Sequence, residues 1–295
     1  MKKFLFAIFL LLIASSVYAK DFADSGILTY LGTTEGEFQE GLDDLRKAMA
    51  PLFPSDESDG ANEDMLGSFI LDLVKTRRVV HFYDSFLSMQ MALRSGKIDE
   101  IVLPEPVGMY LISNNSNYDI SFSMNMMPST ISFGFKQGNT KLQKEFDTAI
   151  LAMRNDGTLA KLVRKYITEL NGEPEAAKFT SFKNAETIKV AVTGDLPPID
   201  FIAADGNPTG YNTAIISEIG RRLKKNVRLI SVDAGGRSAA LASGRADVVF
   251  WYRNTETSKI KSSKLKNAVR DANSGVILSV PYYEWDTDLV ITRTK

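Results

Sequence analysis

Apolar positions along this chain follow two alternating rhythms. Short apolar runs at Ile27–Leu31, Val79–Tyr83, Ile98–Leu103, Ile131–Lys136, Ile188–Val192, Val227–Val232 and Ala246–Trp251 predict strands. Between them, apolar residues recur at helical spacing. Met65–Lys75 is one such stretch, and Ser85–Arg94 is another, carrying Phe86, Met89, Met91, Ala92 and Leu93 and ending at Ser95-Gly96, a C-cap signal. Leu142, Phe146, Ile150 and Met153 share one helical face after the turn Gln137-Gly138-Asn139. Asn155-Asp156-Gly157 breaks that helix, and Leu159, Leu162, Val163, Tyr166 and Ile167 begin the next. Ile215, Ile216, Ile219 and Leu223 mark a helix for which Asn212 or Thr213 is the expected cap. Arg237–Ser243 is a last short helix ending at Gly244. Pro197-Pro198 predicts a rigid extended loop, because each proline fixes its own φ and restrains its predecessor. Asp205-Gly206-Asn207 predicts a turn, the polar stretch 51–64 an exposed loop, and 171–184 a linker.

Strand and helix alternate throughout, which predicts an α/β fold with a parallel or mixed sheet covered by helices. One short pattern occurs twice after a helix and before a strand: Ser95-Gly96-Lys97-Ile98-Asp99 and Ser243-Gly244-Arg245-Ala246-Asp247. Two lobes of like construction are therefore expected.

The N-terminus changes the picture of where the chain works. Lys2 and Lys3, the apolar stretch Phe4–Ile13 and the small-residue site Val17-Tyr18-Ala19 make a secretory signal peptide, cleaved after Ala19. A retained anchor is the alternative, but the apolar run is too short to span a bilayer. The chain has no cysteine, so it carries neither a disulfide framework nor a lipid-attachment site. The expectation is a freely diffusing periplasmic protein.

With 35 basic and 36 acidic residues, the net charge is -1, which gives no concentrated positive field for nucleic acid. Lys259, Lys261, Lys264 and Lys266 read as a solvated basic face. His81, the one histidine, sits at a strand start and reads as structural. With no cysteine and no dense carboxylate and histidine cluster, neither a catalytic residue, a metal site nor a cofactor is expected. Thr33 and Thr34 stand before Glu35 at the start of a helical pattern, an N-cap arrangement whose free N–H groups either attract an anion or serve the helix alone.

Several segments together resemble the family 3 extracellular solute-binding proteins, the periplasmic amino-acid receptors of ABC transporters. Ile188–Tyr283 resembles the first lobe, through Asp195-Leu-Pro-Pro, Phe201, Asp205-Gly-Asn-Pro-Thr-Gly-Tyr-Asn212, Leu241-Ala-Ser-Gly-Arg-Ala-Asp247 and Ser279-Val-Pro-Tyr-Tyr283. Ile27–Ile167 resembles the remainder, through Gly32-Thr-Thr-Glu35, Ala92-Leu-Arg-Ser-Gly-Lys-Ile-Asp99, Phe133-Gly-Phe-Lys-Gln-Gly-Asn139 and Asn155-Asp-Gly-Thr-Leu159. The family runs in the opposite order, so the resemblance implies a two-lobed periplasmic-binding-protein fold of type II in circularly permuted order. The divisions would be a signal peptide (1–19), lobe two (20–130), a hinge strand and closing helices of lobe one (131–170), a linker (171–187), the main part of lobe one (188–283) and a hinge strand back toward lobe two (284–295). Two partial copies completing each other in a domain-swapped dimer are the alternative to a permuted monomer.

The resemblance further implies a hinged clamp that closes on an amino acid or related organic acid and delivers it to a membrane ABC transporter permease. Three family contact positions fall on Ile199, Lys259 and Pro104. Phe201, Trp251 and Tyr252 are the nearby aromatic alternatives to Ile199, and Phe201 is equally suited to the core. Arg253 is preferred to Lys259 for a ligand carboxylate, because its fork is bidentate; the competing reading is a surface ion pair. Thr33 and Thr34 would donate from the other lobe, and Glu105, beside Pro104, would take an ammonium group. An enzymatic branch of the family dehydrates cyclic acids, and that alternative requires Glu105 or Asp195 in the cleft with a raised pKa. A binding module that signals to a membrane receptor is the third reading.

Overall fold

In the computed structural model, residues 24–28, 80–233, 236–254 and 275–294 are described. The expected signal peptide, the loop expected at 51–64, the helix expected at Met65–Lys75, and Thr33, Thr34 and Lys259 lie outside them. The first half of the chain runs β1 (Ser25–Leu28), β2 (Val80–Tyr83), α1 (Phe86–Ser95), β3 (Glu100–Pro104), α2 (Glu105–Ser113) and β4 (Tyr118–Lys136). Helices α3 (Thr140–Asn155) and α4 (Thr158–Val163) follow, the latter continued by a π-helical turn, Arg164–Thr168. The second half runs β5 (Thr187–Val192), β6 (Asp195–Leu196), β7 (Asp200–Ile202), β8 (Pro208–Thr209), α5 (Tyr211–Leu223), β9 (Asn226–Ser231), α6 (Arg237–Ala242), β10 (Val248–Asn254), β11 (Val276–Leu278) and β12 (Tyr283–Arg293).

The main sheet reads alike from either edge: β2-β1-β3-β12-β4-β10-β5-β9, with β11 paired to β4. At one end β1 lies between β2 and β3, and at the other β5 lies between β9 and β10, all parallel. β3 and β10 then each pair antiparallel with a long strand, β12 and β4. Those two long strands pass between the halves and pair with each other, Tyr283–Trp285 against Ser129–Ile131 on one side and Thr287–Arg293 against Tyr118–Asn125 on the other. A register shift between Trp285 and Thr287 marks the crossing, where a bulge re-aims the strand. The fold is thus a mixed α/β sheet in two lobes.

The repeated Ser-Gly-basic-x-Asp pattern has a structural task, performed twice. Gly96 and Gly244 take φ of 76° and 71°, the left-handed values that close α1 and α6. Asp99 then accepts from the Asp24 N–H at 2.9 Å, and Asp247 from the Lys189 N–H at 2.8 Å. Their own N–H groups return to the Asp24 and Lys189 carbonyls at 2.9 and 2.8 Å. Each aspartate therefore ties the chain ahead of the third strand of its lobe to the first strand, which satisfies backbone groups at the sheet end.

Three expectations need correction, and one helix, α2, was not foreseen. The strand expected at Ile131–Lys136 begins at Tyr118, because its polar N-terminal part is held by pairing with β12. Helix α2, with Pro106 and Gly108 in its first turn, carries weak helix formers. Gly108 lies so close to Leu289 and Ile291 of β12 that a Cβ would meet both, so packing selects it. The Pro197-Pro198 segment is a turn with a cis peptide bond rather than an extended loop. Neither Asn212 nor Thr213 caps α5: the N-cap is Gly210, at φ 96°. The Tyr211 and Asn212 N–H groups donate to the Pro198 and Ile199 carbonyls at 3.0 and 2.9 Å, so the turn itself satisfies the helix start.

One apolar core runs through both lobes. Phe133 and Phe135 of β4 each meet Phe146 of α3 edge-on, at 5.1 Å between centroids, and the Phe133 ring lies 4.5 Å from Tyr282. In the first lobe of the chain, Met89 and Leu93 of α1 are fully buried with Ile98, Ile101 and Leu103.

Candidate functional site

The segment from Thr193 to Ile202 carries the densest chemistry at the seam between the lobes. It leaves the end of β5 and forms a small antiparallel sheet, β6-β7-β8, in which Asp195 pairs with Phe201 and Leu196 with Asp200. Gly194 starts this hairpin at φ 71°, and a Cβ there would strike Ile202. The Ile202 N–H donates to the Gly194 carbonyl at 3.1 Å, so the close approach is fixed by the hairpin itself.

Asp200 is 1% exposed. Its Oδ2 accepts from the Thr193 N–H at 3.0 Å and from Thr193 Oγ1 at 2.8 Å, while its Oδ1 has no partner. Asp195 is partly buried, and its Oδ1 is likewise enclosed without a partner. β6, which carries Asp195, packs against α1 of the other lobe. Burial pushes the Asp195 carboxyl up, opposed by the Thr193 hydroxyl, by the Phe86 N–H and by the Arg237 guanidinium. Burial pushes Asp200 up as well; Thr193 opposes this and the charge of Asp195 adds to it.

Phe201, opposite Asp195, meets the Tyr110 ring of α2 at 6.4 Å between centroids and 59° between planes. This pair is a second contact across the seam. Ile199 is fully buried in the common core and offers no wall to a ligand, because the turn folds it inward toward α5.

The remaining sequence-derived candidates fall into three groups. Glu105 opens α2 and is exposed; its charge adds to burial in pushing Tyr283 up to about 12. Trp251, Tyr252 and Arg253 lie on β10, at the register positions of Ser132, Ile131 and Thr130 of β4. Thr33, Thr34 and Lys259 fall outside the described residues. The structure thus brings Asp195 and Phe201 together at the seam. His81 lies 3.3 Å from Asp24 at the start of the sheet, in a structural setting. Among the described residues, no group of three or more His, Asp and Glu could hold a metal ion.

Sequence reasoning passed over Asp200, Tyr110 and Asp288. Asp288 sits opposite Pro104 in the β12–β3 pairing and accepts from Trp285 Nε1 at 3.1 Å. Burial pushes its carboxyl up to about 6 against that donor. The spacing Trp285-x-x-Asp288 gives no signal in a strand, where residues three apart normally face opposite ways; the bulge between them brings the two together.

Residues 188–265 match the model of the bacterial extracellular solute-binding proteins, family 3. No curated protein sequence matches the chain. Among solved structures, a ligand-binding component of an ABC-type import system from Staphylococcus aureus, with zinc bound, is 11% identical over 93% of this chain and 66% of its own, with a TM-score of 0.41. The periplasmic aliphatic sulphonate binding protein SsuA from Escherichia coli is 8% identical over 93% of this chain and 65% of its own, also at 0.41. The alkanesulfonate-binding protein SsuA from Xanthomonas axonopodis pv. citri, bound to MOPS, is 7% identical over 94% and 66%, again at 0.41. The chain spans about two thirds of the length of these proteins.

Proposed function

We propose that this protein is an exported solute-binding protein that closes two lobes on a small polar ligand and presents it to a membrane ABC transporter. The observation that carries this reading is the seam: two lobes joined through the crossing strands β4 and β12 also meet through Phe201–Tyr110 and through the packing of β6 against α1. Contacts of this kind can be exchanged for contacts to a ligand as the lobes rotate about the crossing strands. An amino acid or related organic acid is the ligand class we favour, with Asp195, Phe201, Glu105, Arg253, Thr33 and Thr34 as the residues that would meet it.

The experiment is native mass spectrometry of freshly purified protein, followed by thermal melts against amino acids and organic acids. A co-purified mass, and a melt raised by the matching compound, is the expected result; binding that stabilises only the folded state raises stability by about 2.7 kcal/mol at a hundredfold excess over Kd. If no compound shifts the melt, the transport reading fails.

One observation favours a second reading. In that reading Asp195 would be the acid, because burial at the seam pushes its carboxyl up. Turnover of a cyclic acid, followed by NMR and lost in Asp195→Asn, would make the protein a dehydratase-like enzyme.

A circularly permuted order remains our reading of the chain. It is supported by the positions of Ser25 and Thr292, which flank Glu100 on either side of β3, two strand spacings or about 10 Å apart. A variant rejoined between Arg293 and Asp24 and reopened within 171–184 should fold to the same two lobes. A monomer in light scattering supports permutation, whereas an obligate dimer supports swapping.

A further inference from the structure

The two long strands that join the lobes lose their register at the crossing. On one side Trp285 pairs with Ser129 and on the other Thr287 pairs with Asn125, which leaves Asp286 of β12 against Met126, Met127 and Pro128 of β4 outside the ladder. Pro128 has no N–H to give to such a ladder. Among the described residues, β10 pairs with β4 as far as Ser129, and β3 pairs with β12 as far as Asp288. Backbone pairing therefore stiffens each lobe up to this interval and stops there. A rotation of one lobe against the other meets least resistance at such a place.

A side-chain bond spans the interval. Trp285 Nε1 donates to Asp288 Oδ1 at 3.1 Å, and its two ends belong to different lobes. Trp285 is 8% exposed and stacks on Tyr283 at 6.2 Å between centroids and 25° between planes, while Tyr283 meets Tyr211 of α5 edge-on at 5.4 Å. The Tyr211 hydroxyl donates to the Tyr282 carbonyl at 2.9 Å, which fixes the indole to the lobe of α5. Asp288 sits opposite Pro104 at the end of β3, and its neighbour Leu289 lies against Gly108 of α2. The carboxylate is thus part of the lobe of α1 and α2.

We infer that the Trp285–Asp288 hydrogen bond is a hinge latch, which holds the lobe angle of this structure and breaks when the lobes turn about the crossing strands. Such a latch presupposes the hinge motion proposed above and is what resists it. Donor and acceptor are three residues apart with the bulge between them, so a change in the bend of β12 separates them directly. The aromatic stack holds the indole and the β3 pairing holds the carboxylate, so neither follows the other through a rotation. A hydrogen bond weakens steeply away from its ordinary length and angle, and a small turn is enough to lose it. Because Phe201 and Tyr110 already meet across the seam, the latched angle is a closed one. Held, the latch lowers the cost of ordering the lobes around a ligand.

The test uses the full mature chain without ligand. The chain has no cysteine, so spin labels at Arg94→Cys of α1 and Lys144→Cys of α3, both exposed positions, report the lobe separation by pulsed electron spin resonance. Trp285→Phe keeps a ring against Tyr283 but has no N–H, and should raise the ratio of open to closed form about fivefold, the factor that one net hydrogen bond carries. Asp288→Val removes the acceptor and should do the same, the two substitutions together adding little. Asp288→Asn keeps an oxygen that accepts from the indole and should leave the distance as it is. Equal distance distributions in the unsubstituted protein and Trp285→Phe would overturn the latch, and so would an opening by Asp288→Asn as large as that by Asp288→Val. If Asp288→Val does not fold, Trp285→Phe and Asp288→Asn decide. No ligand enters this measurement, so a failure of the transport reading, seen in the melts, is a separate result.

Discussion

The rings of Tyr110 and Phe201 lie 6.4 Å apart, one on α2 and the other on the β6–β7 hairpin, and so bridge the two lobes. Tilted aromatic pairs of this kind are worth about 0.5–1.5 kcal/mol beyond the area they bury. Replacing Phe201 or Tyr110 by Ala should leave both lobes folded while shifting the lobes toward an open form. Small-angle scattering measures this as a larger radius of gyration, and the double variant should add little to either single one. Equal radii in all four proteins would show that the pair does not hold the seam.

Gly194 governs the hairpin that carries Asp195 and Asp200. Ala in its place would have to accept φ 71° and push against Ile202. The expected loss is about 2 kcal/mol or more, by the combined cost of overpacking and a left-handed backbone. Urea unfolding measures it as a lower midpoint at unchanged slope. Gly138→Ala is the control, since it carries a comparable φ of 92° with open space around it, and should cost less.

Asp288 supplies a pH dependence at the lobe crossing. Its carboxyl is pushed up to about 6 by burial, above the ordinary aspartate value, so the folded state binds the proton more tightly. Its contribution is greatest below about pH 4 and is lost as pH rises from there through about 6. Asp288→Asn should abolish that slope. Because Trp285 Nε1 donates to Asp288 at 3.1 Å, the Trp285 emission should shift over the same interval in the unsubstituted protein. An unshifted emission across pH 4–8 would argue against it.

Asp99 and Asp247 perform the same task, but in different surroundings. The Asp247 bond to Lys189 is partly buried and the Asp99 bond to Asp24 is exposed. Asp247→Ala should therefore cost about 1–3 kcal/mol, the cost of stranding a buried donor, and Asp99→Ala less. Thermal unfolding of the two variants orders them; the reverse order would mean that solvent does not replace the exposed bond.

Much of the fold was legible because burial imposes periodicity. The face of Phe146, Ile150 and Met153 is buried as its spacing predicts, and Gly96 and Gly244 stop their helices where a left-handed residue is required. The repeated aspartate was visible as a pattern, yet its task was not, because its partners Asp24 and Lys189 lie 75 and 58 residues away. Helix α2 was illegible for a related reason. Gly108 weakens the helix locally and is selected by Leu289 and Ile291 of a strand far along the chain.

The sequence by itself determined the α/β alternation, the doubled construction and the likeness of residues 188–265 to the solute-binding family. Those follow from local periodicity and from short motifs that keep their spacing. Only the tertiary structure decided which residues share the seam. It turned Ile199 inward and set Phe201 against Tyr110. It also enclosed Asp200 against the Thr193 N–H and hydroxyl. Enclosure and charge proximity are properties of space rather than of chain order, and a carboxylate in a sequence does not show whether it will keep its charge.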